Sequence, residues 1–290
     1  MTIPLLRGMA DIAADYDALI LDLWGVVYDG IAPYPGVLDC LAELRRANKN
    51  VTILSNAPRL GAVAAEHLRR SGVGAHLYDR IITSGDATRQ ALERRNEPFY
   101  AALGPAYYFL GKEDDAGLLQ GLDYRRTEAP DEADFLLVTG PTDESLDLGD
   151  SEALLRGAAG LNLAMVCANP DLAVIRGGTR EPCAGAFAAR YAELGGAVAY
   201  QGKPFTGVYT MCFEALAHTD RRRILCVGDG LATDIAGAGA AGLDSLLVTG
   251  GLLANAWGVE RTLAPDEARL EAACREAEAT PTAVIPTFVW

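Results

Sequence analysis

The sequence predicts an α/β protein in two parts: a parallel sheet drawn from both ends of the chain, and a smaller α/β module inserted between them. Three observations carry this expectation. Short apolar runs alternate with amphipathic helical segments, an order that favours right-handed βαβ units and parallel pairing. Several of those runs stop on polar residues, as Leu19-Ile20-Leu21 stops on Asp22 and Ile224-Leu225-Cys226-Val227 stops on Gly228-Asp229. From Ser84 the texture changes, which divides the chain into residues 1–83 and 182–290 as one domain and 84–181 as the insert. A chain of 290 residues is long enough for both.

The opening run reads as a buried strand that delivers Asp22 to the carboxyl rim of the sheet, with Gly25 and Gly30 close behind. Open α/β sheets bind ligands at that rim. An aspartate there can act as nucleophile or metal ligand, and a turn or capping aspartate is the plainer alternative. Residues 35–49 set Val37, Leu38, Leu41 and Leu44 on one helical face. Val51-Thr52-Ile53-Leu54 is a second strand ending on Ser55-Asn56. A helix with Leu60, Val63, Ala64 and Leu68 follows, then the short strand Ile81-Ile82-Thr83.

Within the insert, Ala106-Tyr107-Tyr108-Phe109-Leu110-Gly111 and residues 134–140 read as strands, with one helix near residues 116–120 between them. Residues 141–150 form an acidic loop before a helix over 151–159. The strand Leu163-Ala164-Met165-Val166-Cys167 is stopped by Asn169-Pro170-Asp171. Residues 182–194 are helical and Gly195-Gly196 ends them. Val198-Ala199-Tyr200 leads to Gly202-Lys203-Pro204, followed by a helix over 208–216. After the strand ending at Asp229 come a small-residue helix over 233–241 and the strand Leu246-Leu247-Val248. In the tail, a helix over 265–278 is expected.

A formal net charge of −14 disfavours nucleic acid and anionic membrane as partners, since both need a basic surface. A small anionic substrate then requires local cations, oriented amides or a bound metal. The six cysteines form no Cys-x-x-Cys pair and sit in apolar surroundings, which predicts buried free thiols. No apolar run is long enough to span a bilayer, and the start lacks a basic-then-apolar order, so a cytoplasmic protein is expected. His67, His76 and His218 are scattered, and no role follows for them.

Asp22, Ser55, Lys203 and the pair Asp229 and Asp234 therefore stand in order at strand ends. Each has an ordinary reading: Ser55 as a helix cap, Lys203 as a solvated turn lysine, the aspartates as a turn and a cap. Taken together with Asn169-Pro170-Asp171 and the helix start at Cys183-Ala184-Gly185, the set resembles the haloacid dehalogenase superfamily of hydrolases. The branch is the capped one that includes NagD-like and pyridoxal-phosphate-phosphatase-like phosphatases, and the likeness runs from Asp22 to about Gly251.

The resemblance implies a Rossmann-like parallel-sheet core, an inserted α/β cap, and Mg²⁺-dependent hydrolysis of a small phosphorylated metabolite. Asp22 would attack phosphorus and become an aspartyl-phosphate. Asp22, Asp229 and the backbone carbonyl of Trp24 would hold Mg²⁺, with Asp234 as a ligand or just behind one. Ser55 and the amides of Asn56 and Ala57 at a helix start would bind the phosphoryl oxygens. Lys203 would pair with both phosphate and Asp22. Arg176 and Arg180, where the cap returns to the core, would meet the rest of the substrate. Homodimers are common among such caps.

One position departs from the pattern. Two residues after the nucleophile the family usually has an aspartate that protonates the leaving group and then activates water, and here it is Trp24. An indole N–H can donate a hydrogen bond but cannot shuttle a proton, so acid–base help worth about 10²–10⁴-fold is missing. Three readings stay open: a phosphatase, a phosphate-binding or regulatory protein with weak or no turnover, and a metal-free dehalogenase. Asp229 and Asp234 argue against the last. Two lookalikes are set aside. Residues 196–203 lack the glycine spacing of a Walker loop, and Gly237-Ala238-Gly239-Ala240-Ala241-Gly242 falls inside a helix rather than at a strand-to-helix turn.

Overall fold

The structure, a computed structural model, describes residues 3–142, 148–176 and 179–290. Strand β1 (Ala18–Leu21) is followed by α1 (Val37–Arg46), β2 (Asn50–Ser55), α2 (Gly61–Arg70) and β3 (Arg80–Thr83). Next come α3 (Ser84–Arg94), α4 (Pro98–Ala101), β4 (Ala106–Leu110), β5 (Arg125–Thr127) and β6 (Phe135–Val138). Then follow α5 (Glu152–Gly160), β7 (Ala164–Cys167), the pair β8 (Ala173–Arg176) and β9 (Thr179–Pro182), α6 (Ala184–Glu193) and β10 (Val198–Tyr200). The chain finishes with α7 (Thr206–Ala215), β11 (Ile224–Gly228), α8 (Ala236–Ala241), β12 (Asp244–Val248), α9 (Leu252–Trp257), α10 (Glu267–Glu276) and β13 (Ala283–Ile285).

Two parallel sheets result. The first runs β13-β12-β11-β1-β2-β3, with β1 central between β11 and β2. Its central strand β1 is apolar and buried along its whole length because both faces are covered. Leu19, Leu21, Val51, Ile53 and Val227 meet Val37, Leu41 and Leu44 of α1 on one side. Ile20, Leu54 and Cys226 meet Val208, Tyr209 and Cys212 of α7 on the other. The second sheet runs β10-β7-β6-β4-β5 and sits between α5 with α6 and the apolar group of Leu92, Tyr100 and Leu118.

Several elements differ from expectation. The second sheet reaches past residue 181: β10 pairs with β7 in register Tyr200↔Cys167, and Phe187 and Tyr191 of α6 fill that sheet's core, so the chain leaves this sheet near residue 200. Three-residue strands such as β10 carry too little periodicity to be read. Helix α1 is shorter than residues 35–49, since Gly36 takes a left-handed conformation (φ 82°) at its start. Val63 is 40% exposed rather than packed. Residues 113–119 form a 3₁₀ segment, and the antiparallel pair β8–β9 was not foreseen. Of the loop expected over 141–150, residues 143–147 lie outside the described residues. All six cysteines are free and buried, and among the described residues no helix is long and apolar enough to cross a membrane.

Candidate functional site

Register explains why two carboxylates meet. β1 and β11 are parallel neighbours with Leu21 opposite Val227, so Asp22 and Asp229, just beyond, emerge at the same rim. The Asp22 N–H donates to the Val227 carbonyl at 2.8 Å and extends the ladder into the site. Asp234 follows in a π-helical turn, Leu231–Ile235, a geometry that accommodates an extra residue and is frequent at functional sites. Asp22, Asp229 and Asp234 are all buried, and each offers an oxygen within 4.8 Å of the others. Lys203, equally buried in the loop after β10, donates from Nζ to Oδ1 of Asp22 and, at 2.7 Å, to Oδ1 of Asp234.

Backbone shape makes room for this cluster. Gly25 has φ 77°, and a Cβ there would overlap the Asp229 carboxylate, as would one at Gly251. The Asp229 Oδ2 accepts from the Leu252 N–H at 2.9 Å, and the Asp234 Oδ2 accepts from the Gly230 N–H at 3.0 Å. Among the described residues, Oδ2 of Asp22 and Oδ1 of Asp229 are left without a protein hydrogen bond.

Three buried carboxylates face one ammonium, and surplus buried charge is costly. The surplus appears as raised carboxyl pKa values. Burial first, with Asp234 and Asp229 adding to it, pushes Asp22 well above the carboxylate range against the pull of Lys203. Burial and then Asp234 lift Asp229 to about 7. Burial works against the Lys203 charge, but Asp22, Asp234 and Asp171 outweigh it and hold the ammonium well above the ordinary lysine value. A buried, oxygen-only, over-negative set with two spare carboxylate oxygens fits a hard divalent cation such as Mg²⁺.

Trp24 lines both cavities of the site. Its ring lies 4.9 Å from that of Tyr28, the Arg176 guanidinium of β8 sits 4.9 Å over it, and a Cβ on Gly30 would strike it. Two cavities share Trp24, Asn56, Asp171 and Val174 as lining. One, of about 710 Å³, holds Asp22, Ser55, Lys203, Asp229 and Asp234. The other, of about 580 Å³, holds Arg59, His67, Lys112, Asp115 and Arg176.

The remaining expected residues divide. Ser55 borders the larger cavity, and its Oγ accepts from the Ala57 N–H at 3.2 Å. Asn56 and Ala57 are not at a helix start, because α2 begins only at Gly61. The Asn56 side chain is committed to structure: it accepts from the Lys203 N–H at 2.7 Å and donates to the Lys203 carbonyl at 3.1 Å and to Asp171 at 2.8 Å. Arg180 borders the larger cavity, whereas Arg176 borders the smaller one and pairs with Glu181 at 3.3 Å. Sequence reading missed Arg261. Its guanidinium donates to the Gly250 carbonyl at 2.8 Å and the Gly25 carbonyl at 2.5 Å, clasping the loops on either side of Asp229. No motif surrounds it, and its partners are backbone atoms that leave no side-chain pattern.

Comparison with known proteins agrees with this geometry. Residues 19–125 match the family model described as haloacid dehalogenase-like hydrolase, and residues 200–289 match a second haloacid dehalogenase-like hydrolase model. A D-glycerol 3-phosphate phosphatase of Mycobacterium tuberculosis is 31% identical over 249 residues, 84% of this chain; the chain spans 66% of that relative's length. The solved structure of a haloacid dehalogenase-like hydrolase from Brucella suis superposes with a TM-score of 0.84 at 30% identity, covering 98% of this chain and 100% of that one. A glycerol phosphate phosphatase from M. tuberculosis, solved in complex with magnesium, gives a TM-score of 0.65 at 28% identity over 83% of this chain and 70% of that one. Fold, strand-end residues and similarity thus agree: the chain belongs to the haloacid dehalogenase-like hydrolase family, in the branch that carries an α/β cap.

Proposed function

We propose that the chain is a Mg²⁺-dependent phosphatase of a small phosphorylated metabolite, working through an aspartyl-phosphate on Asp22. The observation that carries this reading is the buried cluster in which Asp22, Asp229 and Asp234 approach within 4.8 Å around a single Lys203. Asp22 and Asp229 would hold the cation with the Trp24 carbonyl, Asp234 lying beside them. When bound, the ion neutralises charge on the phosphoryl oxygens and makes phosphorus electrophilic. The Asp22 carboxylate is the nucleophile, attacking through the oxygen that does not face the cation. Lys203 steadies the developing charge, and Asp234 orients Lys203 through the 2.7 Å hydrogen bond. Ser55 Oγ and the Asn56 N–H bind phosphoryl oxygens. The insert that begins at residue 84 and runs on through β10 acts as the cap domain over a core drawn from both ends of the chain, with Arg176 and Arg180 toward the substrate.

A second reading, a phosphate-binding protein with little turnover, is favoured by one observation: Trp24 is packed against Arg176 and Tyr28 where a proton carrier would stand. The two separate in one assay. Phosphate release from a panel that includes glycerol phosphate is followed with Mg²⁺ and then with chelator. Release that chelator and Asp22→Asn both abolish supports the phosphatase. Silence in the parent, with release by Trp24→Asp, supports the binding protein.

A further inference from the structure

Arg261 lies between α9 and α10 and lines the larger cavity, yet among the described residues it pairs with no carboxylate. Its outer nitrogens go to backbone instead. Nη1 donates to the Gly250 carbonyl at 2.8 Å and Nη2 to the Gly25 carbonyl at 2.5 Å. The face of Tyr34 seats the cation, with the guanidinium carbon 3.3 Å from the ring centre. One planar fork thus joins the turn after β1 to the turn after β12.

Those two turns are the walls of a slot that holds the Asp229 carboxylate. A Cβ on Gly25 or on Gly251 would overlap Oδ2 of Asp229, and the Leu252 N–H donates to the same oxygen at 2.9 Å. Oδ2 is gripped, whereas Oδ1 takes no hydrogen bond from the described residues. The rotation of the carboxyl group about its Cβ–Cγ bond therefore follows from how closely the two glycines approach. That rotation decides where Oδ1 points. A guanidinium carries its donors at a fixed spacing in one plane, so it holds the gap at one width.

From this geometry we propose that Arg261 is a positioning residue for the cation site: it fixes the width of the slot and so aims Oδ1 of Asp229 at the space shared with Asp22 and Asp234. This rests on the Mg²⁺ reading of that cluster. Charge alone works in the opposite direction, because a fixed positive charge repels a divalent ion in the same cavity. The benefit of arginine here is its shape, and lysine, a point charge without the fork, does not reproduce it.

The test is calorimetric titration of Mg²⁺ into the metal-free full chain at pH 8, for the parent, Arg261→Lys, Arg261→Met and Asp229→Asn. Arg261→Lys keeps the charge and is expected to weaken Mg²⁺ binding by about 10–100-fold, the range seen when groups that orient metal ligands are removed. Arg261→Met is expected to lose at least as much. Melting in chelator shows which variants are folded, and the charge-conserving lysine variant carries the test if the methionine variant is not. Amide exchange at Leu252 is expected to quicken in the folded variants while β1 stays protected. A lysine variant that binds Mg²⁺ like the parent, or a methionine variant that binds it more tightly, would overturn the positioning role. So would a lower melting temperature in chelator with unchanged affinity, the mark of a purely structural clasp. In each of those cases loss of binding in Asp229→Asn leaves the Mg²⁺ reading standing. A parent that binds no Mg²⁺ would overturn both.

Discussion

The proposed cation site would set a proton and a cation in competition for the Asp229 oxygens. With its folded-state value near 7 against an ordinary 3.8, this carboxyl keeps its proton longer in the folded chain than in the unfolded one. The stability it contributes is therefore complete below about pH 4 and is lost as pH rises through about 7 in the absence of metal. A divalent ion binds only the ionised form and counters that loss. The rise in melting temperature on adding Mg²⁺ is thus expected to be small at pH 5, to grow through pH 7, and then to level off. Calorimetry at fixed Mg²⁺ across that range checks it, and a gain that shrinks with pH would contradict the assignment. Asp22, Lys203, Asp229 and Asp234 were legible because each follows or lies near an apolar run that fixes where it emerges. Arg261 was not, since it lies 236 residues from the Gly25 carbonyl it holds.

Among the elements, α3 shows what local sequence can and cannot state. Thr83 and Asp86 form a reciprocal cap: Thr83 Oγ1 accepts from the Asp86 N–H at 2.9 Å, and Asp86 Oδ2 accepts from the Thr83 N–H at 3.1 Å. The same carboxylate also takes the Gly61 N–H at 3.0 Å, tying the start of α2 to that of α3. Asp86→Ala is expected to cost about 1 kcal/mol, measured by urea unfolding, with Asp86→Asn recovering part. The texture change at Ser84 was visible, but the helix beginning there was not, because its buried residues split between two cores: Ala87 joins the first sheet and Leu92 the second. The glycine-rich run after Asp234 has a packing explanation, since a Cβ on Gly237 would strike Tyr209 of α7.

Across the whole molecule, a few polar contacts join the two sheets. Arg59, before α2, reaches Asp115 of the 3₁₀ segment at 3.1 Å, and Asp115 is only 6% exposed. Burial raises the Asp115 carboxyl above its usual value even against the Arg59 charge. Removing the arginine would strand that acid, a change that costs on the order of 3 kcal/mol when one partner of a buried pair is lost. Arg59→Met is expected to lower the unfolding midpoint and to speed amide exchange over residues 113–119, whereas Asp115→Asn in the same background restores most of the loss. Such links depend on side chains far apart in sequence, so the α/β class and the insertion were readable from the chain while the joint between its parts was not.

The position of β1 has a consequence for biosynthesis. Ala18 pairs with Ile224 in the finished sheet, so the strand that delivers Asp22 waits for a neighbour made about 200 residues later. At roughly 5–20 residues per second, a ribosome needs about 10–40 s to supply it. For most of that interval the nascent chain holds Asp22 without Lys203, and for all of it without Asp229, so the buried charged cluster cannot close until about four-fifths of the chain has been made.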